Sequence, residues 1–319
     1  MKPKIVVTRQ MTQAVMERIA SDFDAILPPP GGMNPDQVLL ALEESGAPGL
    51  LFNGGTRFDA TYVARLPETL KVAASCSVGF DHVDLASIRD KGFIVTNTPD
   101  VLDNSVADFA FLLLLASARR LHEYDLTIRE GWSRYFGVSE FLGNDVAGKT
   151  LAIVGMGRIG QALARRAQAF DMKVIYHNRR KLLAAAEHGA TYCASLQELL
   201  PQADFLSLHA PATPETTNLL NAETIARLAK GAIVINTARG SLINDDALIA
   251  ALQSGKVRGA GLDVFNGEPK IDPRYASLKN VILAPHMASA TEETRTAMGM
   301  LCLDNIAAVL SGKAPLTQI

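Results

Sequence analysis

The sequence predicts an α/β protein with two domains, each built on a parallel sheet. Its 319 residues exceed the usual length of one domain. Short apolar segments alternate with helical patterns along most of the chain, and residues 149–180 form one strand–helix–strand pattern around spaced glycines. Apolar residues make up 48% of the chain, which is enough to fill two cores.

Composition excludes several classes of protein. A net charge of -2 gives no basic field for nucleic acid. Cys76, Cys193 and Cys302 lie too far apart for a metal motif and are odd in number, which favours a reducing cytoplasm. No apolar stretch of signal-peptide length precedes Ile5, and the longest apolar run, Phe109–Ala116, is too short for a bilayer. We expect a cytoplasmic protein that binds neither nucleic acid, membrane nor metal.

The first third of the chain alternates strand-like and helix-like segments. Strands are predicted at Lys4–Thr8, Gly49–Phe52, Lys71–Ala74 and Phe93–Thr96, with helices over about 11–21, 35–44, 58–65 and 83–91. Asn97-Thr98-Pro99 then breaks the pattern and predicts a crossing between domains.

Two loops of this region follow strands and carry glycine. Asn53-Gly54-Gly55-Thr56 and Ser77-Val78-Gly79-Phe80-Asp81-His82 lie where ligands bind in such sheets, beyond the carboxyl ends of the strands. Their backbone amides would suit a small anion, although both sequences are equally compatible with ordinary turns.

The middle of the chain begins with two helical patterns. Ser105–Leu121 predicts a long buried helix and Glu123–Arg134 a second helix, and 135–148 predicts a loop. Trp132 is the only tryptophan, and we expect it to serve packing rather than chemistry.

The strand–helix–strand pattern at 149–180 predicts a dinucleotide site. Leu151–Val154 is a strand, Gly155, Gly157 and Gly160 follow at GxGxxG spacing, and Arg158–Phe170 fits an amphipathic helix. The glycines permit a tight turn, close approach of backbone to a pyrophosphate, and close helix–strand packing. The intervening residues Met156, Arg158 and Ile159 lie at the helix N-terminus, which would face the phosphates.

The residues after the second strand of this unit favour one form of the cofactor. An NAD site usually has Asp or Glu here, whereas this chain has Asn178 followed by Arg179 and Arg180. Asn does not repel a 2′-phosphate, and guanidinium groups can bind one. We therefore expect NADPH, with NADH as the weaker alternative; the other interpretation is that the two arginines are a solvated loop pair.

The alternation then resumes to the end of the chain. Strands are predicted at Val174–Tyr176, Tyr192–Cys193, Phe205–Leu208, Ile233–Asn236, Gly261–Val264 and Val281–Leu283, and helices over about 181–188, 195–199, 221–228, 243–253 and 291–311. Ser289-Ala290-Thr291-Glu292 predicts the start of the last helix. The predicted domains are 99–285 for the dinucleotide and, discontinuously, 1–98 with 286–319.

Three strand ends in the second half carry polar residues that suit reduction of a 2-oxo acid. Arg239 would bind the carboxylate and carbonyl oxygens, His286 would protonate the nascent alkoxide, and Glu268 would raise the pKa of the histidine and hold its tautomer. Each residue also has a structural interpretation. Arg239 could be the partner in a structural ion pair, and Glu268 could be a solvated loop carboxylate. His286 could be a histidine at a domain boundary whose hydrogen bonds are all made within the protein. His209, in Leu208-His209-Ala210-Pro211, should line the cofactor site.

Together these motifs resemble the D-isomer-specific 2-hydroxyacid dehydrogenase family. The resemblance is carried by Gly155–Gly160, Asn236-Thr237-Ala238-Arg239-Gly240, Gly261–Phe265 with Glu268-Pro269, Ala284–Thr291 and Ser77–Asp84. It implies a Rossmann-type cofactor domain, a flavodoxin-like substrate domain and a homodimer formed through the cofactor domains.

The resemblance also implies residue roles. Arg239 would bind the substrate, His286 would donate the proton and Glu268 would pair with it. Asp263 would lie near the nicotinamide amide, and the backbone at Val78 and Gly79 would hold the carboxylate. Pro211, Thr237 and Ala238 would join the cofactor site, and Asn53 and Gly54 the substrate site. Asp108 departs from the Glu of many members, with little consequence expected.

Within the family, Asn178-Arg179-Arg180 resembles the NADPH-preferring glyoxylate/hydroxypyruvate reductase branch, which includes 2-ketogluconate reductases. We expect reduction of such acids to D-2-hydroxy acids. Two alternatives remain: an NAD-dependent member with another substrate, such as phosphoglycerate, and a dinucleotide-sensing binding protein without activity. The family extends to corepressors of the latter kind, but this chain lacks their long disordered tails.

Overall fold

Two parallel sheets organise the chain, each within its own unit. The computed structural model describes residues 2–319. One unit runs to Leu102 and includes Ser289–Ile319; the other is Asp103–Ala288. The chain therefore passes from the first unit to the second after Leu102 and returns after Ala288, whereas the sequence predicted these boundaries after residues 98 and 285. His286 accordingly belongs to the second unit.

The first unit contains a five-stranded sheet in the order β2-β1-β3-β4-β5, with all neighbours parallel. This is the flavodoxin-like order. Its elements are β1 (Lys4–Val7), α1 (Gln13–Asp22), β2 (Asp24–Ile26), α2 (Pro35–Ser45), β3 (Gly49–Phe52), α3 (Ala60–Arg65), β4 (Val72–Ser75), α4 (Leu85–Lys91), β5 (Ile94–Thr96) and α12 (Glu292–Leu310). The edge strand β2 was not predicted, because its three residues form no apolar run.

The last helix completes the first unit. Thr291 is its N-cap, accepting a hydrogen bond from the Thr294 N–H at 3.2 Å, so the cap lies two residues after the predicted Ser289. The helix packs on β3 so closely that a Cβ on Gly49 would stand 3.1 Å from Ile306. Its buried side chains thus close one face of the sheet.

The second unit contains a seven-stranded parallel sheet in the order β12-β11-β10-β9-β6-β7-β8. This is the Rossmann order, which reverses direction between β6 and β9, and it confirms the predicted fold class. The elements are α5 (Asp103–Ala118), α6 (Leu121–Arg129), β6 (Thr150–Val154), α7 (Arg158–Ala169), β7 (Lys173–His177), α8 (Ala184–Glu187), β8 (Thr191–Tyr192), α9 (Leu196–Leu199), β9 (Phe205–Leu208), α10 (Ala222–Arg227), β10 (Ala232–Asn236), α11 (Asp245–Ser254), β11 (Val257–Leu262) and β12 (Val281–Leu283).

Apolar cores cover both faces of this sheet. Successive side chains alternate between them: Leu151 and Ile153 enter the core beside α5 and α7, whereas Ala152 and Val154 enter the other. This arrangement explains why the strands are continuous apolar runs.

The segment after α5 differs from expectation. Helix α6 ends at Arg129 rather than Arg134, and Trp132 is 51% exposed, with its ring edge-on to Tyr135 at 5.4 Å. Trp132 was expected to pack in the interior, but its side chain is half exposed and lies outside the core. Across residues 2–319, no helix has the length and apolarity needed to cross a membrane.

Candidate active site

The glycine-rich turn joins β6 to α7 at the point where the sheet reverses its order. Gly155 has φ +97°, and a Cβ there would lie 2.5 Å from the Ala210 amide nitrogen. A Cβ on Gly160 would lie 2.5 Å from the Gly155 carbonyl oxygen. Only glycine permits these approaches, which bring the turn against the residues that follow β9.

The space beside this turn fits a dinucleotide pyrophosphate. A Cβ on Gly157 would meet nothing within 4 Å, so backbone is exposed to an approaching ligand. Gly157 is also the N-cap of α7 and supplies no side-chain cap, and the first turn holds no acidic residue. The helix therefore presents amide N–H groups and its positive dipole end to an anion.

Other residues predicted for the cofactor lie around the turn. Met156 is buried in the core beside α5 and α7, and Ile159 packs against the same core. Arg158 Nε lies 3.4 Å from Asp103 Oδ2. His209 Nε2 and Ser207 Oγ are 2.8 Å apart, and burial lowers the pKa of His209 to about 4, so its ring is neutral at pH 7.

The loop after β9 and the end of β10 hold the remaining candidates. The Pro211 carbonyl accepts a hydrogen bond from Thr216 Oγ1 at 2.7 Å. Thr237 follows β10, and its buried Oγ1 has no partner among residues 2–319. Such an orphaned hydroxyl fits a polar ligand at this edge of the sheet.

Asn178 connects the end of β7 to the glycine-rich turn. Its Oδ1 accepts a hydrogen bond from the Met156 N–H at 2.7 Å, where an NAD-type acidic residue would stand. Arg179 and Arg180 follow with exposed side chains, and the charge of Arg179 also acts on the Glu215 carboxylate. Both cations are thus available to a ligand.

Arg239 lies in a turn that is fixed by Asn236. The Asn236 side chain accepts from the Ala238 N–H at 3.0 Å and donates to the Arg239 carbonyl at 2.8 Å. The next residue, Gly240, approaches the following loop so closely that its Cβ would stand 2.0 Å from the Phe265 carbonyl carbon. This contact brings the loops that carry Arg239 and Glu268 together.

Glu268 and His286 form the central pair. The ring Nδ1 of His286 donates to Glu268 Oε2 at 2.8 Å, and the Phe265 N–H donates to Oε1 at 2.7 Å. Burial opposes ionisation of Glu268, but these two hydrogen bonds and the charge of Arg239 lower its pKa below the usual value. The carboxylate is therefore ionised at pH 7 and leaves Nε2 of the histidine for chemistry.

Asp263 fixes the backbone around His286. Its fully buried carboxylate accepts from the N–H groups of Met287 at 2.7 Å and Ala288 at 2.8 Å, and burial raises its pKa. The His286 N–H donates to the Asp263 carbonyl at 2.8 Å, and His286 has φ +58°. These bonds hold a conformation that a non-glycine residue rarely adopts.

The predicted substrate loops belong to the first unit. The Val78 carbonyl accepts from Asn97 Nδ2 at 2.9 Å and the Gly79 carbonyl from Ser77 Oγ at 2.9 Å. Within this unit the N–H groups of Val78 and Gly79 donate to no other described residue. Asn53 is half-buried and Gly54 exposed at the end of β3. Both loops thus offer backbone donors.

Sequence reasoning missed the supporting roles of Asn236 and Asp263. Asn at the end of an apolar strand followed by a turn is a signal for a side-chain bond to nearby backbone. Asp263 was predicted for the cofactor, but the pattern gave no sign that its carboxylate faces the segment after His286. Within the second unit, Arg239, Glu268 and His286 follow three neighbouring strands.

Comparison with known proteins decides the family. Residues 111–288 match the model described as the D-isomer specific 2-hydroxyacid dehydrogenase, NAD binding domain. The chain belongs to the D-isomer specific 2-hydroxyacid dehydrogenase family. As a member of this family it is an enzyme with an NAD(P)-binding domain, and the resemblance stated from the sequence is confirmed.

Relatives within the family cover nearly the full chain. A glyoxylate reductase of Thermococcus litoralis is 42% identical over 99% of this chain and 96% of its own length. Solved structures include a glyoxylate reductase from Paecilomyes thermophila, with 31% identity, coverage of 100% and 98% and a TM-score of 0.89. An NADPH-dependent glyoxylate/hydroxypyruvate reductase from Sinorhizobium meliloti, in complex with NADP and malonate, has 33% identity, coverage of 100% and 97% and a TM-score of 0.87.

Proposed function

We propose that this protein reduces small 2-oxo acids, glyoxylate and hydroxypyruvate first, with NADPH as its preferred cofactor. 2-Ketogluconate is the next candidate, and the product is the D-hydroxy acid where a stereocentre forms. The observation that carries this proposal is the hydrogen bond between Glu268 and His286 at 2.8 Å, in the same unit as Arg239 and the glycine-rich turn. The names of the glyoxylate reductase relatives support the choice of substrates.

The proposed chemistry assigns one task to each side chain. The Arg239 guanidinium binds the carboxylate and the carbonyl oxygen of the substrate, which polarises the carbonyl. His286 Nε2 donates a proton to that oxygen as the alkoxide develops. Glu268 accepts a hydrogen bond from Nδ1–H, fixes the ring and stabilises its charged form before transfer. When bound, the nicotinamide supplies the hydride.

Further residues would position the substrate and the cofactor. The amides of Val78 and Gly79, with Asn53 and Gly54, would hold the substrate carboxylate. The cofactor set comprises Gly155, Met156, Gly157, Arg158, Ile159, Gly160, Asn178, Arg179, Arg180, His209, Pro211, Thr237, Ala238 and Asp263.

The NADPH preference rests on the charge at the end of β7. Asn178 brings no carboxylate to repel a 2′-phosphate, and the exposed Arg179 and Arg180 would bind it. The relative from Sinorhizobium meliloti is named as NADPH-dependent. This preference separates the proposal from an NAD-dependent member of the family.

We also propose a homodimer that forms through the second unit. The segment from Leu121 to Leu142, here called the apolar arm, exposes several large side chains. These are Leu121 54%, Ile128 60%, Trp132 51%, Tyr135 87%, Phe136 38%, Val138 99% and Leu142 54%. Apolar surface of this extent is typical of an interface between proteins.

The decisive experiment is a panel of 2-oxo acids with NADPH and with NADH, followed by the absorbance of the reduced nicotinamide. We expect the largest kcat/KM with glyoxylate or hydroxypyruvate and NADPH. Preference for NADH, or for a phosphorylated 2-oxo acid, would replace the proposed reductase with the NAD-dependent alternative. No turnover on any acid, with retained cofactor binding, would favour the non-enzymatic sensor.

A further inference from the structure

The loop between β7 and α8, here called the arginine loop, consists of residues 178–183 and carries Arg179 and Arg180. Flexible surface loops lose conformational entropy when they bind a ligand, so an arginine pair binds a phosphate best when its backbone is already fixed. In this unit, hydroxyl groups of two tyrosines contact the backbone at both ends of the loop.

Tyr176 fixes the far end of the arginine loop. The residue is fully buried on β7, and its hydroxyl oxygen accepts a hydrogen bond from the Leu182 N–H at 3.0 Å. The same hydroxyl donates to Glu187 Oε1 on α8 at 2.8 Å. One hydroxyl group therefore joins the sheet, the loop and the helix that follows it.

The near end of the loop is held by two further bonds. Tyr192 on β8 donates from its hydroxyl to the Asn178 carbonyl at 3.3 Å, and its ring lies 5.3 Å from that of Tyr176. The Asn178 side chain also binds the glycine-rich turn through the Met156 N–H. Both ends of the loop are thus anchored, while the side chains of Arg179 and Arg180 remain exposed.

We propose that Tyr176 is a positioning residue for cofactor specificity, acting through the arginine loop; this inference rests on the proposed NADPH preference. The hydroxyl fixes the backbone of the loop, so Arg179 and Arg180 bind a 2′-phosphate with little further loss of conformational entropy. Phenylalanine cannot accept a hydrogen bond from the Leu182 N–H or donate one to Glu187, so both hydrogen bonds are lost. The effect falls on the 2′-phosphate and not on the rest of the cofactor.

The test compares 2′,5′-ADP, which carries the 2′-phosphate, with 5′-AMP, which lacks it. We expect Tyr176→Phe to weaken binding of 2′,5′-ADP about three- to tenfold, the effect of losing the one hydrogen bond that holds the loop backbone, and to leave 5′-AMP unchanged. KM for NADPH should rise by the same factor with kcat at saturation unchanged. Tyr62→Phe is the matched control, because its buried hydroxyl donates one hydrogen bond to the Pro35 carbonyl in the first unit.

Variants of Glu187 distinguish positioning from electrostatics. The Glu187 carboxylate also lies 3.7 Å from Lys181 Nζ, so its charge opposes the local positive field. If it positions Tyr176, Glu187→Gln should bind 2′,5′-ADP like the wild type and Glu187→Ala should bind it more weakly. If its role is only electrostatic, both variants should bind 2′,5′-ADP more tightly, and the proposal is overturned. These two Glu187 variants also test the proposal if Tyr176→Phe does not fold.

The remaining outcomes separate this inference from the proposed function. A wild-type protein that binds 2′,5′-ADP no more tightly than 5′-AMP overturns the NADPH preference and the inference with it. A wild-type preference that Tyr176→Phe does not alter overturns the inference alone. An equal loss for both nucleotides would identify Tyr176 as a structural residue without influence on specificity.

Discussion

Glu268 and His286 are joined by a 2.8 Å hydrogen bond although they lie on loops after two different strands, 18 residues apart. The other carboxylate oxygen of Glu268 is occupied by the Phe265 N–H. The carboxylate is thus fixed in both position and charge before any substrate binds. This pair makes His286 the natural proton donor of the proposed reaction.

The first prediction concerns this pair. His286→Ala should lower kcat for reduction about 100- to 10,000-fold, the range of a lost general acid, with little change in binding of the dinucleotide. Glu268→Gln should also lower kcat, but less, because a neutral amide stabilises a charged ring less than a carboxylate does. Steady-state kinetics from pH 5 to 9 measure both effects. Full turnover by His286→Ala would assign the proton donor elsewhere.

The second prediction concerns cofactor choice. Arg179→Ala/Arg180→Ala should raise KM for NADPH about ten- to 100-fold and leave KM for NADH nearly unchanged, because only NADPH carries the 2′-phosphate. The wild-type KM for NADPH should also rise with salt. Arg165→Ala is the control, since Arg165 is exposed on α7 outside the arginine loop. An unaltered NADPH preference in the double variant would show that the arginines are a solvated pair.

The sequence pattern could assign the candidate residues to one sheet edge, but it could not predict the contacts that hold them in place. Three polar residues after apolar strands could be assigned to one sheet edge, because parallel strands share the direction of their carboxyl ends. The bond from Asn178 to the Met156 N–H could not be predicted, because it depends on how the turn and the end of β7 approach each other. The same reason applies to Asp263, whose partners come 24 and 25 residues later.

Prediction of the fold differed from the structure mainly at edges and ends. The strand Asp24–Ile26 pairs at the edge of its sheet and is partly exposed, so it has no apolar signature. Helix α6 stops at Arg129 even though the helical pattern continues to Arg134, because Gly131, the residue after the C-cap Glu130, adopts φ +94°. Buried strands such as Phe205–Leu208 were predicted with the observed bounds, because both their faces are apolar.

The third prediction tests the close approach of the loops that carry Arg239 and Glu268. Gly240→Ala would place a Cβ 2.0 Å from the Phe265 carbonyl carbon, and backbone must move to relieve the overlap. We expect a loss of about 1–3 kcal/mol in the free energy of unfolding and a lower kcat, because Arg239 and Glu268 are displaced. Gly137→Ala is the control, since its Cβ would meet only the Glu140 side chain at 3.4 Å. Equal melting temperatures for the two variants would refute the steric argument.

The fourth prediction concerns stability against acid. The pKa of His209 is about 4 in the folded protein and near its usual 6.5 in the unfolded chain. The unfolded state therefore takes up a proton first as the pH falls, so stability is full above pH 6.5 and declines between about pH 6.5 and 4. The decline should reach about 1–3 kcal/mol, measured by urea unfolding without cofactor. His209→Asn should remove this component; the same pH dependence in that variant would exclude His209 as its source.

The last prediction concerns the apolar arm. Val138 is 99% exposed and Tyr135 87% exposed, which is costly in water unless another surface covers them. We expect the wild type to sediment as a dimer and Tyr135→Ser/Val138→Asp to sediment as a monomer at the same concentration, because a desolvated carboxylate opposes association. Leu40→Asp is the control, since Leu40 is 53% exposed on α2 of the first unit. A wild-type monomer, or a dimer that survives the double substitution, would move the interface away from this arm.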